Sequence, residues 1–152
     1  MEWIMLAHIV VAAVWFGGSV YLEALMANAA RTGDPQIMGT VAITVGKTNP
    51  RIFGTVGVLT LLTGIWLIVA ENSVWEFSDL FVSVGFLVAI VGIALGILFV
   101  DPQMKKIEAI MAERGPADPE VEERGMRISM VAHMMTLLLA IVMVFMVIKP
   151  WM

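Results

Sequence analysis

Three ionisable side chains stand inside stretches otherwise apolar enough to cross a bilayer. His8 opens the run Leu6-Ala7-His8-Ile9-Val10, Glu23 lies toward the far end of the same stretch, and His133 sits in the last apolar stretch of the chain. An imidazole can ligate a metal through a ring nitrogen or carry a proton, and a carboxylate can pair with it or pass a proton on. Such groups are costly at membrane depth, so each needs a partner or a purpose. Thirteen methionines add soft thioethers. Met126, Met130 and Met134 repeat every four residues beside His133, a spacing that suits Cu(I) or ordinary gap-filling, and packing is the expected role. The chain has no cysteine, which removes disulfides, thiolate metal sites and thiol catalysis. No Ser/His/Asp arrangement, carboxylate dyad, phosphate loop or dinucleotide fingerprint is present.

The elements that must carry these groups follow from composition. Of 152 residues, 60% are hydrophobic and 14% charged, against roughly 25% charged in a soluble domain. The expected class is an all-α integral membrane four-helix bundle, one domain over residues 1–152. The net charge of −4 gives no footing for nucleic acid. Four windows reach the ~20 apolar residues that a spanning helix needs: Trp3–Leu25, Ile52–Ala70, Leu80–Val100 and Ile128–Ile148. Helices are expected over residues 3–31, 51–71, 80–101 and 119–149. Asp34-Pro35 and Asp118-Pro119 read as N-caps followed by Pro at the first helical position. Asn49-Pro50 and Asp101-Pro102 read as breaks. Short interfacial helices, 35–46 and 103–114, are therefore expected in the first and third loops. Met1-Glu2 lacks a positive leader, so the first helix is expected to act as its own insertion signal.

The cations orient the bundle. Arg31, Lys47 and Arg51 precede the second span; Lys105, Lys106, Arg114, Arg124 and Arg127 lie between the third and fourth. The second loop carries none. In a four-helix topology eight of the nine cations share one side, which the positive-inside rule makes cytoplasmic. Both termini then face outward, and Trp3, Trp75 and Trp151 fall at the outer boundary.

Depth decides which polar groups can meet. At 1.5 Å per residue, His8 and His133 each lie about 8 Å inside opposite edges of a ~30 Å core, some 14 Å apart in height. That separation excludes one iron held by both. Glu23 and His133 share the inner level and form a candidate intramembrane pair. His8 shares the outer level with Gly64 and Trp66, Gly85 and Met143. A His/Met pair can hold haem iron, and small residues nearby would admit a flat macrocycle. Gly92 and Gly96, by contrast, form a small-xxx-small pair suited to close helix packing.

The pattern His8-Ile-Val through Trp15-Phe16-x-Gly18 to Tyr21-Leu22 resembles the first helix of the HemJ-type protoporphyrinogen oxidases. The tail from Thr136-Leu137-Leu138 to Lys149-Pro150-Trp151 is similar to the end of that family. Over nearly the whole chain the sequence looks like a family of uncharacterised small bacterial integral membrane proteins. They share an early histidine, a Thr-Gly pair (Thr63-Gly64), a proline after the third helix (Pro102) and a terminal Lys-Pro. The copper-resistance protein D domain shares the His…Trp-x-Gly-Gly helix.

The resemblance implies a haem- or copper-associated role for His8. The expectation is a small multi-pass protein of the bacterial inner membrane binding b-type haem, or copper in its place, through His8. Two alternatives stand beside it. One is a cofactor-free accessory subunit of a larger membrane complex or homo-oligomer; the other is a porphyrin-related membrane oxidoreductase. The lipid bilayer is the partner common to all three.

Overall fold

The computed structural model describes residues 2–70 and 76–148. Trp75, Lys149 and Trp151 lie outside the described residues. Five α-helices run in order: α1 Glu2–Arg31, α2 Pro35–Val69, α3 Leu80–Leu95, α4 Asp101–Arg114 and α5 Pro119–Ile148. A π-helical turn, Gly96–Val100, joins α3 to α4, so Leu80–Arg114 runs on as one rod. Four helices are thus long and apolar enough to cross a membrane, and the described residues contain no strand. The fold is an all-α four-helix membrane bundle.

The ends are set by local chemistry. Gly33 (φ +67°) follows α1, and Asp34 Oδ1 accepts from the Gln36 N–H at 2.8 Å, with Pro35 opening α2. Gly115 (φ +89°) closes α4, and Asp118 Oδ1 accepts from the Glu120 N–H at 2.9 Å as α5 begins. In both places a positive-φ glycine turns the chain and a carboxylate satisfies a first-turn donor.

Two expected breaks do not occur. Residues 35–46 do not form a separate interfacial helix; they are the first turns of α2, which continues through Pro50. Residues 103–114 likewise continue the third span. A proline withholds its own N–H and crowds the carbonyl four residues back, but a helix held by its neighbours carries on through that defect. α2 is held along α1 and against α4. At Pro102 the relief is visible: the Asp101 N–H reaches back to the Gly96 carbonyl. That widened turn makes room for the ring.

The bundle closes as a ring, α1 against α2, α2 against α3, α3 against α5 and α5 against α1, with α4 on α2 and α5. Trp15 is its central buried aromatic. A methyl added at Gly57 would come within 3.4 Å of its indole, and one at Gly92 within 3.6 Å, so the two glycines admit the ring. Methionines also fill glycine gaps: Met104 lies on Gly46, Met111 on Gly39, Met146 on Gly85 and Met135 on Gly92 beside Trp15. The Met126, Met130 and Met134 stripe instead faces outward. It is exposed surface, not the packing expected of it.

Candidate functional site

At the end of the bundle holding the chain's start, α1 and α2 run antiparallel and bring His8 onto the Thr63-Gly64 pair. His8 Nδ1 lies 2.9 Å from Thr63 Oγ1. The same hydroxyl lies 2.7 Å from the Leu59 carbonyl and 3.1 Å from that of Thr60. When the hydroxyl donates to either carbonyl, Oγ1 is left to receive the Nδ1–H of His8. In that tautomer the imidazole carries its proton on Nδ1 and a lone pair on Nε2. An imidazole oriented through one nitrogen for service at the other is the usual arrangement of a metal-ligating histidine.

The space beside His8 is narrower than the depth argument expects. A methyl at Gly64 would meet His8 Cε1 at 3.3 Å and Phe86 Cζ at 3.8 Å. The absent side chain is replaced by the imidazole itself. At Gly85 a methyl would meet Met146 Cε at 2.8 Å and Val142 Cγ1 at 3.7 Å. Met146 therefore takes that gap, and Met143 stands one turn before it on α5. As a donor His8 fits an axial haem ligand; the gaps at Gly64 and Gly85 are filled by side chains and do not enclose a macrocycle. Among the described residues no three His, Asp or Glu side chains converge to hold a metal ion.

A second polar group lies toward the other end. Thr136 Oγ1 donates to Glu23 Oε1 at 2.5 Å, and His133 Nε2 lies 3.4 Å from Glu23 Oε2. His133 Nδ1 lies 2.7 Å from the Ser129 carbonyl, so Nδ1 carries a proton. The group ties α1 to α5 and is half sheltered: the Glu23 side chain is 20% exposed and that of His133 63%. α3 brings no ionisable side chain to it, since Leu80–Leu95 contains none.

Sequence reasoning missed both threonines as partners. Thr136 follows His133 by three residues on one helix face, the spacing that could have pointed to it. The α1–α2 contacts at His8–Thr63 and Gly18–Phe53 also bring Asn49 level with Leu22. Asn49 Oδ1 is buried there without a hydrogen-bond partner.

Residues 2–150 match the profile of a family described as "Predicted integral membrane protein (DUF2269)". No curated protein and no solved structure matches the chain. The match covers nearly the whole sequence, and the chain belongs to this integral membrane protein family.

Proposed function

We propose that this member of the family is a histidine-ligated b-type haem protein of the bacterial inner membrane, with both termini on the outer side. The observation that carries the reading is the 2.9 Å contact of His8 Nδ1 with the Thr63 hydroxyl, which also lies 2.7 Å from the Leu59 carbonyl. With its proton on Nδ1, the ring presents Nε2 as the ligating nitrogen. When bound, the haem would supply one-electron chemistry, and the chain's part is to present one oriented imidazole within the apolar layer. His8 is half-buried and flanked on α1 by exposed Leu6 and Ile9. Uptake from the bundle's surface is therefore favoured over uptake into its core. Copper would need soft ligands beside Nε2, whereas His8 meets Thr63, Gly64 and the backbone of Thr60.

The second reading is a cofactor-free subunit of a larger membrane complex or a homo-oligomer. It is favoured by the breadth of outward apolar surface, with Tyr21 and Trp66 more than 60% exposed. Lipid can cover that surface equally well. A porphyrin-directed oxidoreductase draws less support, because α3 offers no group to move a proton.

The test is an absorbance spectrum of the protein purified in mild detergent, with pyridine haemochrome and metal analysis. A Soret band lost in His8→Ala and kept in His133→Ala is expected. A colourless protein that co-purifies with larger membrane subunits would establish the second reading instead.

A further inference from the structure

We propose that the cleft between α2 and α4, at the cation-rich end of the bundle, binds the phosphodiester headgroup of an anionic phospholipid. The cleft has a volume of about 250 Å³, and its charged lining is Lys47, Arg51, Asp101, Lys105 and Glu108. Pockets for drug-sized ligands start near 300 Å³, so this one suits a smaller group. Three cations against two carboxylates leave one positive charge over. Lys47 reaches across to Glu108 at 2.9 Å and Lys105 pairs with Asp101 at 2.7 Å. Arg51 lines the cleft with no carboxylate at ion-pair distance among the described residues. Its planar fork is free to take two phosphate oxygens, a geometry that lysine cannot offer.

Depth selects the source of the phosphate. Arg51 directly precedes the apolar window 52–70, and Asp101 directly follows the window 80–100. The cleft therefore opens where the hydrocarbon layer ends, at the level of lipid phosphates. Both helices are irregular at that height: Pro50 interrupts the hydrogen-bond ladder of α2, and the π turn ends at Val100. Met104 and Ile107 supply an apolar wall of the cleft. Basic pockets between spanning helices recognise anionic headgroups by this combination of charge and depth.

The test is native mass spectrometry of the full chain released from mixed micelles of phosphatidylglycerol and phosphatidylcholine. The wild-type chain should retain phosphatidylglycerol in preference. Arg51→Gln should lower that retention roughly five-fold, the effect of one cation near an anionic surface. Arg31→Gln removes the same charge outside the cleft and should change nothing. Glu108→Gln frees Lys47 and should raise retention, a gain that misfolding cannot produce. Equal losses in Arg51→Gln and Arg31→Gln would overturn the site, as would equal retention of the two lipids. An Arg51-dependent rise in melting temperature with inorganic phosphate, absent with phosphatidylglycerol, would assign the cleft to a free phosphate and overturn the lipid.

Discussion

At Thr63, replacing the hydroxyl by a methyl of similar shape leaves His8 Nδ1 without its 2.9 Å acceptor. Interhelical hydrogen bonds of this kind contribute about 0.6 kcal/mol in membrane bundles. A Thr63→Val/His8→Ala cycle, followed by unfolding in detergent, should return a coupling of that size. Strict additivity would mean that the hydroxyl does not hold the ring. Glu23 carries a second comparison. Its contact with Thr136 is short and part-buried, whereas His133 is largely exposed and sits at 3.4 Å. The Glu23–Thr136 coupling should be about 1 kcal/mol, as for a typical intramolecular hydrogen bond, and should exceed the Glu23–His133 coupling. The reverse order would make the imidazole the main partner. The Glu23–His133 juxtaposition was legible in sequence because helical rise alone sets height. The threonines were not, because a hydroxyl on an apolar helix ordinarily bonds its own preceding turn, as Thr40, Thr44 and Thr55 do here.

Among the elements, glycines of α2 that look alike in sequence differ in what they face. A methyl at Gly54 meets nothing within 4 Å, whereas one at Gly57 comes to 3.1 Å from Ile93 Cγ1. Gly54→Ala should stabilise by up to about 1 kcal/mol through helix propensity. Gly57→Ala should forfeit that gain by pressing on Ile93 and Trp15. Equal stabilities in detergent unfolding would contradict the packing of α2 on α3. The α4–α5 corner makes a pH prediction. Arg114 first, and Arg124 with it, hold the Glu120 carboxyl below its ordinary 4.5. A carboxyl with a depressed folded value stabilises above its unfolded value and loses that contribution as pH falls through the folded one. The amides of Gly115, Asp118 and Glu120 should therefore keep their exchange protection down to about pH 4.5 and lose it below. Glu120→Gln should remove this pH dependence. The caps of α2 and α5 were legible because Asp-Pro encodes them locally. Continuity through Pro50 and Pro102 was not, since neighbouring helices and a π turn supply what the local sequence withholds.

For the whole molecule, four apolar windows were enough to specify four spanning helices, because length against bilayer thickness leaves few alternatives. The methionine and glycine roles were not legible. Which thioether faces which glycine depends on helix rotation and tilt, and Met146 rather than Met143 meets Gly85. Orientation rests on eight of nine cations at one end. A reporter fused after Met152 should therefore be active outside the cytoplasm. Cytoplasmic activity there would invert the bundle and put His8 at the inner face. The functional account turns on His8 Nε2, and His8→Gly with added imidazole tests it most directly. The glycine variant should lose the haem spectrum of the purified protein, and free imidazole should restore it by occupying the vacated position beside Thr63. A spectrum that survives His8→Gly, or that vanishes with His133→Ala, would contradict the account.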